Sequence, residues 1–224
     1  MSILLKKIGT ETIKFPNDLG MIFSGFNILL LSSGMLLETL VIASILRVRQ
    51  KTVDTLFVLS LCCADMLYNL YMLPSTILLL SAGGWGMGQH GCKLSTAMII
   101  ATLAISILSV TFITLNRYMA VIWKKNITRF QALVMIAVTW VSLFATVAIY
   151  GTNKEFSENS IALQSSYTYC LLDYTSKEPI VVTNLIVQIV FMSIPMFFMI
   201  LAYSQIILFY RKMNRIREYI TSEV

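Results

Sequence analysis

Five apolar runs, each long enough to cross a lipid bilayer, constrain this chain more than any other feature. They cover about residues 21–46, 55–82, 97–123, 132–150 and 180–210. A hydrocarbon core of roughly 30 Å needs about 20 helical residues at a rise of about 1.5 Å each. Backbone polar groups in lipid must find partners within their own segment, which selects helices. The residue alternation of a membrane β-barrel is absent. The expected fold is all-α, a multi-span transmembrane helical bundle forming one domain over residues 1–224. Charged residues make up 12% of the chain, against about 25% in soluble domains. That share excludes a soluble globular protein, and the 57% hydrophobic content excludes disorder.

The N-terminal stretch does not resemble a signal peptide. Lys6 and Lys7 run into polar Gly9-Thr10-Glu11-Thr12 without an apolar core or cleavage site. The first helix is expected to act as its own insertion signal. Lys and Arg then set the orientation. Arg47, Arg49 and Lys51, the group from Arg117 to Arg129, and the basic tail 211–224 put eleven cations on one face, with six on the other. The N-terminus is expected outside and the C-terminus in the cytoplasm. The net charge of +6 thus reads as topology, and no nucleic-acid partner is expected.

Two acidic residues lie well inside spans, Glu38 and Asp65. Ionisable groups at that depth are costly and usually functional. Asp65 is 14 residues from Lys51, about 21 Å along a helix. Glu38 is 9 residues from Arg47, about 13 Å. If the two carboxylates face each other, one holds a proton or a cation sits between them. Alternatively, Glu38 points elsewhere and bonds backbone. Cys62 and Cys63 read as small buried hydrophobes. Cys92 and Cys170 fall on the outer face, where disulfides persist, so a bridge and two free thiols are both open.

Ordered motifs run through these spans. Leu59-Ser60-Leu61-Cys62-Cys63-Ala64-Asp65 is followed by Pro74. Trp85 lies between two glycines. Cys92 opens the third helix, and Asn116-Arg117-Tyr118-Met119-Ala120-Val121 closes it. Trp140, Cys170 and the Pro195/Tyr203 pair complete the set. Together they resemble the rhodopsin-like (class A) G-protein-coupled receptors over essentially the whole chain, as five of that family's seven helices. The resemblance implies a Cys92–Cys170 disulfide. It also implies a plasma-membrane receptor that relays an extracellular ligand to a heterotrimeric G protein, without enzymatic activity. Asn116, Arg117, Tyr118 and Tyr203 would form the G-protein face, and Ile107 and Pro195 would relay activation. Asp65 and Ser106 would be a sodium site, with Glu38 as a substitute ligand.

Departures from the family carry their own expectations. Glu38 stands where the family has asparagine. Asn116 replaces the acid that restrains the neighbouring arginine, so Arg117 is expected to be less tightly held. The position used by amine receptors is Ile99, which argues against a biogenic amine. Ile99, Gln188 and Phe191 are the candidate ligand-pocket residues. Tyr169-Cys170-Leu171-Leu172-Asp173-Tyr174 resembles an opsin outer loop, but the opsin counterion position is Ser95. The retinal-binding lysine belongs to helix seven, so retinal stays open.

The chain stops at Val224, before the family's sixth and seventh helices. It is expected to be either part of a receptor or a five-span, non-signalling membrane protein that associates with full receptors. A small transporter using Glu38 and Asp65 ranks last. Gly86-Met87-Gly88-Gln89-His90-Gly91 matches G-x-G-x-x-G by chance, because it sits in an outer loop rather than a strand–helix turn. The single histidine, His90, is expected to face solvent and makes no metal site. The sequon at Asn126 lies on the inner face and should be unused.

Overall fold

The computed structural model describes residues 13–14, 18–49, 52–152, 161–163, 169–172 and 179–222. The outer-loop residues Asp173 and Tyr174, and the cations Lys6, Lys7, Lys51, Lys154 and Lys177, lie outside the described residues. Among the described residues, five helices form the body: α1 (Asp18–Arg47), α2 (Val53–Ala82), α3 (Gly88–Ile122), α4 (Arg129–Thr152) and α5 (Pro179–Ser222). Four short strands among the described residues, β1 (Ile13–Lys14), β2 (Gly84–Trp85), β3 (Ile161–Leu163) and β4 (Cys170–Leu172), form two antiparallel ladders. Ile13 pairs with Trp85 in the first, and Leu163 pairs with Cys170 in the second.

Four of the helices are long and apolar enough to cross a membrane, and the apolar stretch Arg129–Ala145 of α4 is shorter. With 24 residues, α4 as a whole reaches about 36 Å. The helices overrun the apolar runs, most of all at α3 and α5. α3 begins at Gly88, one turn before Cys92, and α4 begins at Arg129. α5 continues through the basic segment to Ser222, so the tail expected after residue 210 is helical through most of its length.

Local chemistry explains these ends. Thr52 caps α2 by accepting the Thr55 backbone N–H at 3.3 Å. Gly83, at φ 66°, closes α2 with its N–H turned back to the carbonyls of Leu79 and Leu80, a left-handed position that glycine tolerates best. Thr128 and Gln131 make a reciprocal cap at α4. The Gln131 N–H donates to Thr128 Oγ1 at 3.3 Å, and Gln131 Oε1 accepts the Thr128 N–H at 2.9 Å. This is the capping-box spacing.

α3 is the central element, packed against α2, α4, α5 and the β3–β4 ladder, while α1 packs on α2. Small residues let these helices approach closely: Ala64 of α2 and Ala101 of α3 are buried with Ile105 and Leu143. Trp140 of α4 packs against that cluster, and its Nε1–H donates to Ser60 Oγ of α2 at 3.0 Å. Cys63 corrects its expected burial. Cys62 is buried but Cys63 is exposed, because adjacent helical residues point about 100° apart.

Candidate functional site

The two ends of the bundle differ in chemistry. At one end, Cys92 and Cys170 form a disulfide across 78 residues, with Cα atoms 5.1 Å apart. Both are buried, in a cluster with Leu79 and Trp85. The Trp85 indole N–H donates to the Gly88 carbonyl at 3.2 Å, and the Tyr71 hydroxyl donates to the Gly91 carbonyl at 3.2 Å. Two glycines of the chance G-x-G-x-x-G match have structural reasons. Gly88 sits at φ 61°, and a Cβ on Gly91 would collide with the Met87 side chain. His90 is exposed.

Midway along the bundle, the Ser106 hydroxyl of α3 donates to Asp65 Oδ1 of α2 at 2.9 Å. Glu38 does not join them and does not bond backbone. Its Oε2 accepts from the buried Asn69 Nδ2 at 2.9 Å. Gly34, one helical turn before Glu38, faces the same pair, and a Cβ there would make an ordinary contact at 3.5 Å with Asn69 Nδ2. The α1–α2 contact is therefore an acid–amide pair beside a separate Asp65–Ser106 pair. Asn69 was missed by sequence reasoning. Its placement 31 residues after Glu38 carries no local pattern. Among the described residues, no group of three or more His, Cys, Asp or Glu side chains gathers as metal ligands. The oxygen donors of Asp65 and Ser106 suit a hard cation.

The end opposite the disulfide carries Asn116, Arg117 and Tyr118. Sequence reasoning expected Arg117 to be less tightly held, because Asn116 offers no charge. The structure supplies one from α2. Asp54 Oδ1 accepts from Asn116 Nδ2 at 2.7 Å, and Asp54 Oδ2 lies 3.5 Å from Arg117 Nε. Asn116 Oδ1 in turn accepts the Ile127 backbone N–H at 3.3 Å. One asparagine thus links the first turn of α2 to the α3–α4 connection. The Arg117 side chain is 56% exposed and that of Asp54 34%, so the ion pair itself is weak. The shorter bond to Asn116 is the stronger element.

Helix α5 contributes beside it. The Tyr118 hydroxyl donates to Gln205 Oε1 at 2.6 Å. The Tyr203 hydroxyl lies 3.5 Å from Thr114 Oγ1. Arg117, Tyr118 and Tyr203 therefore share one end of the α3–α5 seam. Further along it, Pro195 is buried inside α5 and Ile107 is half-buried on α3. Of the ligand-pocket candidates, Ile99 is half-buried, Phe191 is exposed, and Gln188 has a buried Nε2 without a hydrogen-bond partner among the described residues.

Comparison with known proteins agrees with this architecture. Residues 38–221 match the family described as 7 transmembrane receptor (rhodopsin family), and the chain belongs to that family. It is 34% identical over 109 residues to the melatonin receptor type 1B-A of Danio rerio, covering 46% of this chain and 38% of that receptor. It is 25% identical over 169 residues to the neuropeptide F receptor of Drosophila melanogaster, covering 70% of this chain and 35% of that receptor. The chain thus spans well under half the length of these relatives. The crystal structure of squid rhodopsin superimposes with a TM-score of 0.71 at 19% identity, covering 95% of this chain and 58% of that one, which shows a shared fold.

Proposed function

We propose that this protein is a receptor of the plasma membrane that passes an extracellular signal to a heterotrimeric G protein. Its N-terminus is outside and its C-terminus cytoplasmic. The observation that carries the reading is the polar cluster Asp54–Asn116–Arg117, set beside Tyr118 and Tyr203 at the end opposite the disulfide. An arginine held by one weak ion pair and largely exposed can leave its partner for an incoming surface at small cost. The excess of Lys and Arg on this end supports a cytoplasmic assignment, and the disulfide at the other end suits an oxidising exterior.

Gln188 supports a ligand bearing a hydrogen-bond acceptor. Its buried Nε2 has no partner among the described residues, and an unpaired buried donor gains most from one. Sodium remains part of this reading. Asp65 and Ser106 would hold it, with Glu38 already engaged by Asn69.

The test is guanine-nucleotide exchange on a panel of G proteins in membranes expressing the full-length protein. Exchange above background that Arg117→Ala abolishes is the expected result. Exchange indifferent to Arg117→Ala, or none with any G protein, would refute the proposal.

A further inference from the structure

An apolar groove of about 370 Å³ opens where α3 ends and α4 begins, at the low end of the range for sites that hold small ligands. Its walls are Leu115, Met119, Ile127, Phe130, Val134 and Met135. The remaining wall residue, Gln131, turns its amide oxygen to the Thr128 backbone and hydroxyl. The groove is therefore lined mainly by apolar side chains, with the Gln131 amide nitrogen as the polar group left on its wall. It continues onto an exposed apolar stripe of α4. Phe130 is 76% exposed, and Val134, Val138 and Val141 follow at helical spacing. From Phe130 to Val141 the stripe runs about 16 Å, along a helix that lies in the membrane.

Three exposed cations flank these walls on the chain: Lys124 and Lys125 after Met119, and Arg129 before Phe130. Among the described residues, none of the three forms an ion pair. Lys124 also closes α3. It is the one described non-glycine residue with positive φ, at 54°. The backbone N–H groups of Trp123 and Lys125 both return to the Met119 carbonyl, at 3.1 and 3.2 Å. That is the helix ending in which glycine is the usual occupant. A lysine there is less favourable than glycine.

We propose that this groove binds one anionic phospholipid. An acyl chain fills the groove and runs along α4, and the phosphate meets Lys124, Lys125 and Arg129. The apolar interior matches a hydrocarbon tail, and the unpaired cations match a headgroup at the membrane surface, where each adds attraction to anionic lipid.

The test places the full-length protein in nanodiscs of phosphatidylcholine and phosphatidylserine. The ratio of the two lipids retained on the protein is then read by native mass spectrometry. Each single alanine substitution at the three cations should lower the phosphatidylserine preference about five-fold. The triple variant K124A/K125A/R129A should abolish it. Val134→Phe should fill the groove and lower the ratio of phosphatidylserine to phosphatidylcholine while leaving the cations in place. Lys124→Gly separates binding from folding, because it should raise the melting temperature by about 2–4 °C while weakening the preference. The basic pair on α5 is the control, and Arg211→Ala/Lys212→Ala should leave the ratio unchanged. An equal loss in that control would assign the preference to general surface charge and overturn the site. An unchanged ratio in the triple variant or in Val134→Phe would also overturn it, leaving the groove to a protein partner.

Discussion

Exchanging the carboxylate and amide between Asp54 and Asn116 tests the cluster that holds Arg117. In the wild type, one carboxylate accepts a short bond from the Asn116 amide and faces Arg117 Nε. Hydrogen bonds to charged groups contribute about 1.5–3 kcal/mol, and an exposed ion pair adds less than about 1 kcal/mol. Asp54→Asn keeps the shape but removes the charge, and should cost about 1–2 kcal/mol. Asn116→Asp places a second carboxylate at the 2.7 Å contact, so like charges oppose each other and the bond is lost. The double exchange rebuilds an amide–carboxylate pair with the acid beside Arg117. Wild type and double variant should therefore be close in stability, with both single variants below them and a coupling energy of about 2 kcal/mol. Thermal unfolding in detergent, followed by tryptophan fluorescence, measures the stability cycle. Basal nucleotide exchange in membranes should rise in Asp54→Asn and return toward wild type in the double variant. Effects that add to within about 0.5 kcal/mol would refute the reasoning, because independent sites behave that way.

Other consequences follow from the same geometry. Cys92→Ser, Cys170→Ser and the double variant should each lose a similar stability, about 2–4 kcal/mol, read as melting temperature with and without reductant; a double variant much worse than either single would contradict a shared bond. Ser60→Ala and Trp140→Phe should each cost about 0.6–1 kcal/mol and be non-additive, since they remove two ends of one hydrogen bond. Asp65→Ala should abolish any stabilisation by sodium over choline in a thermal shift assay, whereas Glu38→Gln, which keeps an acceptor for Asn69, should preserve it.

The spans were legible because lipid imposes a length and an apolar composition, and both can be read directly along a chain. Which face of each span turns inward was not. Lipid-facing and core-facing positions are both apolar here, as on α4, where exposed Val138 and Val141 share a helix with buried Leu143. Cys63 was misplaced for that reason. The pairing of Cys92 with Cys170 came from family resemblance, and so did the join of Asp65 to Ser106. Asn69 and Asp54 were missed because their partners are remote in sequence. Asp54 also had an ordinary local explanation, since an acid in the first turn of a helix complements its dipole. A usable clue was its isolation, as the one acid in the Arg47–Asp54 connection among Arg47, Arg49 and Lys51.

The disulfide has a consequence for the covalent map of the molecule. Cys92 and Cys170 are 78 residues apart, and between them the chain runs down α3, through Lys124 and Lys125, and back up α4. The bond makes this stretch a closed ring with the two chain ends as tails. Trypsin acting at Lys124 or Lys125 would open the ring without dividing the protein, and the nicked chain would migrate as one species until reductant released two fragments. A cut at Arg47 or Arg211, outside the ring, would divide the chain under either condition.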